Sequence, residues 1–134
     1  MGTLLLPGTS ATQRMVVIAQ QVVTIEPELS VEVELDVACA QMERDQPGSD
    51  DGFRVSATAV GSTLLKLLRA PSFAGETFRV RQFAIWTVTD NPSRSGYVGL
   101  GFITGSGPSS VELARIKALF REAGIPPGHY RALQ

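Results

Sequence analysis

The sequence predicts an α+β domain in which antiparallel strands in the first half are packed by helices in the second half. Two observations support this class. The apolar periodicity changes from two residues to three or four along the chain, and clusters of Pro, Gly and Asp separate the periodic segments. A length of 134 residues suits a single domain with its own core. We expect residues 1–14 to be a flexible N-terminal segment and residues 15–134 to form the domain.

Three strands are expected, over about residues 15–25, 31–39 and 53–60. The clearest signal is Val31-Glu-Val-Glu-Leu-Asp-Val-Ala-Cys39, in which apolar and acidic side chains alternate up to residue 37. Such alternation is typical of a half-buried strand with one acidic face. Because Cys39 shares the parity of the apolar residues, we expect it to lie inward at the end of this strand.

Three helices are expected, over about residues 63–70, 78–89 and 110–123. The last is the best specified, because Ser109 and Glu112 fit a capping box and apolar residues then recur at helical spacing as far as Gly124. Residues 78–90 are ambiguous. Their Phe, Val, Ile, Trp and Thr content favours a strand, whereas the spacing of the apolar residues also allows a helix.

The charge is balanced overall but unevenly distributed. Residues 1–51 carry nine acidic and two basic side chains, whereas residues 52–134 carry four acidic and ten basic ones. A net charge of −1 argues against nonspecific nucleic-acid binding. No apolar run approaches the roughly 18 residues of a membrane-spanning helix, so we expect no membrane insertion. The two halves are either complementary faces of one domain or separate interaction surfaces.

The composition and loop motifs also argue against metals and cofactors. A single cysteine and a single histidine exclude an internal disulfide and a zinc site built from Cys and His. The glycine-rich stretch before the last helix lacks the Gly-Lys-Ser/Thr ending of a phosphate loop. Asp45, Asp50 and Asp51 do not have calcium-loop spacing, and a pairing of Cys39 with His129 has no supporting local signature.

The motif Gln82-Phe-Ala-Ile-Trp86, together with the upstream Cys39, resembles the glutamine motif of the thioester domains of Gram-positive surface adhesins. The resemblance covers residue 39 and residues 82–86. In that family a cysteine at the end of an early strand bonds to the glutamine side chain, and an amine on another surface can open the bond. The resemblance therefore implies a reactive pair of Cys39 and Gln82, shielded by Ile85 and Trp86, with residues 78–89 helical.

The same resemblance implies a non-enzymatic, adhesion-type interaction domain of bacterial origin, extracytoplasmic or secreted, with a protein or cell-surface partner. Met1–Pro7 lacks the basic region and the long apolar run of a signal peptide. Two other functions stay open. One is a small ligand-binding or enzymatic domain using the Gly99–Ser110 loop and nearby arginines. The other is a structural assembly domain whose acidic strand face meets an Arg-rich partner. The sequence does not determine the oligomeric state.

Overall fold

An antiparallel sheet forms one layer of the fold in the computed structural model, which describes residues 1–97 and 106–134. Within these ranges the sheet has four strands: β1 (Thr3–Pro7), β2 (Met15–Val17), β3 (Val37–Cys39) and β4 (Phe53–Ala59). Their order in space is β3-β2-β1-β4, so β1 is internal and β3 lies at an edge. Helices follow the strands along the chain, and the predicted α+β class is confirmed.

The N-terminal segment contributes an internal strand of the sheet. β1 pairs with β2 on one side, with Leu4 opposite Val16, and with β4 on the other, with Leu6 opposite Arg54. Residues 3–7, which we expected to lie in a flexible segment, are therefore held by backbone hydrogen bonds to two neighbours. This corrects the predicted domain boundary at residue 15, because the sheet needs this strand to connect β2 with β4.

β2 and β3 are much shorter than predicted. Strands expected over 15–25 and 31–39 are reduced to three residues each, and every residue from 19 to 36 is exposed whatever its parity. β2 pairs with β1, which is only five residues long, and β3 pairs with β2 alone, so neither strand has a paired neighbour over the rest of its predicted length. The alternation in residues 31–36 therefore does not mark a half-buried strand. β4 matches its predicted span closely.

Three α-helices lie within the described ranges: α1 (Ser62–Leu68), α2 (Phe78–Thr89) and α3 (Ser110–Glu122). Short 3-10 segments cover Phe73–Gly75, Arg94–Tyr97, Pro127–His129 and Arg131–Leu133. The capping box of α3 is formed as predicted: the Ser109 backbone N–H donates to Glu112 Oε2 at 2.7 Å, and the Glu112 N–H donates to Ser109 Oγ at 3.2 Å. These bonds satisfy donors that the helix itself leaves unpaired.

The helix α2 forms although its residues prefer strands. Thr77 caps its first turn by accepting a hydrogen bond from the Val80 N–H. Thr87 and Thr89 are accommodated because each hydroxyl donates to a carbonyl one turn earlier. The main reason is burial: α2 is covered on most of its circumference, and packing of this extent outweighs the small differences in helix preference between residues. This helix is the outcome that the family resemblance implies.

The core lies between the sheet and the helices, with Phe83 of α2 near its centre. Phe83 is fully buried, and its ring centroid lies 5.1 Å from that of Tyr97 and 6.1 Å from that of Trp86. The helix α2 contacts both α1 and α3 as well as β3, so it connects the helical layer to the sheet edge. Across the described ranges, no helix has the length and apolar character needed to cross a bilayer.

We expect Phe83→Ala to lower the free energy of unfolding by about 3–5 kcal/mol, because it leaves a cavity beside two aromatic rings. Urea unfolding followed by circular dichroism measures the change. Val111→Ala is the matched control: Val111 is 70% exposed at the start of α3, and its truncation should change stability by less than about 0.5 kcal/mol. Equal effects of the two substitutions would contradict this description of the core.

Candidate functional site

The side chain of Gln82 pairs with the backbone of Cys39 at the edge of the sheet. The Cys39 N–H donates to Gln82 Oε1 at 2.9 Å, and Gln82 Nε2 donates to the Cys39 carbonyl at 2.7 Å. The carboxamide thus satisfies both backbone groups of one residue, as a neighbouring strand would do. The two residues of the predicted reactive pair are 43 positions apart in the chain and are in direct contact.

The register of β3 explains why Cys39 is the residue that Gln82 meets. Cys39 lies opposite Met15 of β2, and the next residue, Ala40, donates its N–H to the Arg14 carbonyl at 2.8 Å. In an antiparallel strand, alternate residues direct their N–H and C=O groups to opposite sides. The groups of Ala40 therefore point towards β2, and those of Cys39 point outward, where α2 supplies Gln82.

The whole pair lies in the protein interior. Gln82 is 0% exposed and Cys39 is 3% exposed, and Ile85 and Trp86, the predicted shielding residues, are both fully buried. Cys39, Ile85 and Trp86 belong to one hydrophobic core cluster. The expectation of an inward Cys39 therefore agrees with its burial, although Ala38 and Ala40 of the opposite parity are buried as well.

Two further polar contacts flank the Cys39–Gln82 pair. Arg81 Nη1 lies 3.2 Å from Asp36 Oδ2, just before β3, and the Met42 N–H donates to Asp90 Oδ1 at 3.1 Å, just after it. We refer to these three contacts together as the β3–α2 seam. Burial raises the pKa of the Asp90 carboxyl above its ordinary value, while its hydrogen bonds oppose that shift. The seam aligns α2 with the segment that contains Cys39.

The thiol of Cys39 is held in its protonated form by its surroundings. Burial raises its pKa from the ordinary value of 9.0 to about 11, because a thiolate would lose its hydration in the interior. The protonated thiol is a weak nucleophile at neutral pH. Any reaction of Cys39 at neutral pH must therefore rely on close placement of its partner more than on a preformed thiolate.

The indole N–H of Trp86, four residues after Gln82, is buried and has no hydrogen-bond partner within the described residues. Trp86 follows Gln82 by four residues on α2, so the two side chains occupy the same face of the helix one turn apart. An unpaired buried donor is costly and is expected to have a structural or chemical reason.

The alternative site predicted around Gly99–Ser110 lies largely outside the described residues. Of that loop, residues 106–110 are described, and its neighbour Arg79 is already bonded there. Arg79 forms a 2.6 Å ion pair with Glu112 and also donates to the Ser106 and Gly107 carbonyls. Within residues 1–97 and 106–134 no group of three or more His, Cys, Asp or Glu side chains can hold a metal ion.

A polar cleft at the C-terminal end of β1 was not predicted from the sequence. The cleft has a volume of about 280 Å³, and its lining includes the side chains of Arg14, Arg44 and Arg54. The signal was present in the sequence, since Arg14 and Arg44 are the two basic residues of the otherwise acidic first 51 positions. Their separation along the chain concealed that they share one cleft.

Comparison with known proteins leaves this geometry without a family: no family model matches the chain, and neither a curated protein nor a solved structure matches it. The resemblance to thioester domains therefore stays an expectation from the motif.

Removing the Gln82 carboxamide should expose how much the fold depends on it. We expect Gln82→Ala to leave the Cys39 N–H and C=O unpaired in the interior, at a cost of about 1–3 kcal/mol for each group. Chemical denaturation measures the loss. Gln20→Ala is the control, since Gln20 lies in the exposed segment and should cost less than about 0.5 kcal/mol. A Gln82→Ala protein as stable as the parent would disprove a structural role for this contact.

The raised pKa of Cys39 also predicts an alkaline instability for protein with a free thiol. Because folding favours the thiol form, the stability linked to Cys39 is fully present below pH 9 and is lost as the pH rises towards 11. The difference in unfolding free energy between the parent and Cys39→Ala should therefore shrink across that range. The Cys39→Ala variant also controls for Tyr97, whose pKa burial raises to about 12. A difference that is constant with pH would refute a buried, titrating thiol.

Proposed function

We propose that this chain is an interaction domain in which Cys39 and Gln82 form an internal thioester that attaches the protein covalently to an amine on a partner surface. The observation that supports the proposal most directly is the reciprocal hydrogen bonding of the Gln82 carboxamide with the Cys39 backbone inside the core. The reaction needs a thiol and a carboxamide on adjacent residues, and two hydrogen bonds hold these residues together before any bond forms.

Formation of the bond is a simple exchange at the Gln82 side chain. The Cys39 sulfur attacks the carboxamide carbon, the C–N bond to Nε2 breaks, and a C–S bond takes its place. The nitrogen leaves as ammonia after taking up the thiol proton. No oxidant, metal or cofactor is required. The acyl oxygen, Oε1, is retained and can still accept a hydrogen bond from the Cys39 N–H.

The departure of Nε2 changes the hydrogen bonding of the site. The Cys39 carbonyl loses the donor that it has in the amide state. Trp86 Nε1–H, which has no partner within the described residues, lies one helical turn from Gln82 and is a donor on the same face of α2. An unsatisfied donor in the amide state is understandable if the site is also used in a second state, after the ammonia has left.

Opening of the thioester transfers the acyl group to the partner. An amine attacks the Gln82 acyl carbon, a C–N bond forms, the C–S bond breaks, and the amine proton passes to the released thiolate of Cys39. The raised thiol pKa favours this proton transfer. Burial of the pair protects the thioester from hydrolysis in the meantime. The side chain of Asp36 in the seam is 47% exposed, so the seam reaches the protein surface.

The second candidate function is structural. Both polar ends of the Gln82 side chain are already satisfied by the Cys39 backbone. In this alternative the carboxamide is a permanent substitute for a neighbouring strand. In that case the chain is an assembly domain without covalent chemistry. The two functions differ in one measurable property, which is whether the folded protein retains the Nε2 atom of Gln82.

Intact-mass spectrometry of freshly purified protein distinguishes the two. The thioester predicts a mass lower than that of the encoded chain by one ammonia. After incubation with methylamine the mass should exceed that of the encoded chain by one CH2 unit, because a methylamide replaces the original amide. Tandem spectra should then place the methylamide on Gln82. A thiol reagent should detect no free Cys39 before methylamine and one afterwards.

Two variants serve as controls for the mass experiment. Cys39→Ala removes the nucleophile, and Gln82→Glu keeps the shape of the side chain but replaces the carboxamide, so both should have their full encoded mass. A parent protein with its full mass and one titratable thiol after unfolding would refute covalent attachment and leave the structural role. A mass deficit that persists in Cys39→Ala would also refute it, because the loss would then come from another residue.

A further inference from the structure

Three arginines from different segments line the cleft beside β1. Arg14 comes just before β2, Arg44 follows β3, and Arg54 lies on β4. The strands bring them together, because β1 pairs with β2 on one side and with β4 on the other, where Arg54 lies opposite Leu6. The fold therefore concentrates positive charge at one end of the sheet.

No carboxylate of the described residues lines this cleft or forms an ion pair with its arginines. Among the described residues that line it, none is acidic. The three ion pairs found within residues 1–97 and 106–134 involve Arg79, Arg81 and Arg115, and so do not include the cleft arginines. Within the described residues, Arg14 and Arg44 thus lack a carboxylate partner although they belong to the acidic half of the chain.

The rest of the lining suits an oxyanion. Thr9 and Ser10 contribute hydroxyl groups, and Gln41 contributes its side-chain amide. Two contacts fix the walls: Arg44 Nη1 donates to the Ser10 carbonyl at 2.7 Å, and Gln41 Oε1 accepts from the Arg14 backbone N–H at 3.2 Å. Because Gln41 Oε1 accepts this hydrogen bond, Nε2 is the group of that side chain that can donate to a ligand. Guanidinium groups, amides and hydroxyls together are the donors that bind phosphate and sulfate oxygens.

We propose that this cleft binds a phosphate or sulfate group, with Arg14, Arg44 and Arg54 as its charged ligands. A volume of about 280 Å³ accommodates the anion with a small attached group such as one sugar ring. The ligand is therefore a free anion or a small ester, bound without a covalent bond. This binding does not depend on a thioester, and it goes beyond the attachment chemistry at Cys39.

Calorimetric titration with inorganic phosphate, sulfate and glucose 6-phosphate tests the proposal, at constant ionic strength and with glucose as the uncharged control. We expect saturable binding of at least one anion and none of glucose. Arg14→Gln and Arg54→Gln should each weaken binding about tenfold, the loss of one charge-assisted hydrogen bond. The matched control is Arg121→Gln, an exposed arginine on α3, which should bind as the parent does. Circular dichroism verifies that each variant is folded.

Two further comparisons identify the chemical form of the ligand and the location of its binding site. Tighter binding of glucose 6-phosphate than of phosphate identifies an ester as the ligand, and equal binding identifies the anion alone. Amide chemical shifts of Gly8, Thr9 and Ser10 should move on titration. The proposal is overturned if no anion binds saturably, or if Arg121→Gln weakens binding as much as Arg14→Gln. Repeating the titration in Cys39→Ala separates it from the covalent chemistry, since anion binding should persist there.

Discussion

The double hydrogen bond between Gln82 and Cys39 is the constraint on which the arrangement of the sheet and helices depends. β3 is an edge strand of three residues, and its outward N–H and C=O groups lie in the interior, where unpaired groups are costly. Gln82 satisfies both groups from a helix instead of a fifth strand. Because a side chain can do this only from close range, α2 must lie against the edge of the sheet.

The remaining contacts of the seam determine how α2 lies there. Arg81 pairs with Asp36 before β3, and Asp90 accepts from the Met42 N–H after it, so the helix is anchored on both sides of Cys39. The apolar residues of α2 then pack against α1 and α3. The contact that completes the sheet is thus the same one that places a carboxamide beside the backbone of a buried cysteine, so the structural role and the proposed chemistry depend on the same pair.

Local signals predicted the elements that local interactions determine. The capping box at Ser109 and Glu112 identifies the start of α3 from four residues of sequence. By contrast, β1 is a strand because of its two neighbours, and nothing within residues 3–7 indicates them. The alternation over residues 31–36 was misleading for the same reason, since a strand pattern is realised only where a partner strand and a covering layer exist. For α2, the motif resemblance predicted a helix where residue preference did not. The arginine cleft depends on the register of three strands and could not be located from sequence.

The seam and the cleft are connected through the residues that follow Cys39. Ala40 donates to the Arg14 carbonyl, and Gln41 accepts from the Arg14 N–H, so the strand that ends at the buried thiol continues directly into the wall of the cleft. Non-covalent binding in such a neighbouring cleft would raise the local concentration of a ligand's other groups near the seam. The proposed attachment reaction would gain from this effect, because at a buried and poorly nucleophilic thiol its rate would depend on placement of the partner and not on an activated thiolate. The proposed anion binding at one end of the sheet and the proposed bond formation at its edge are therefore compatible within this fold.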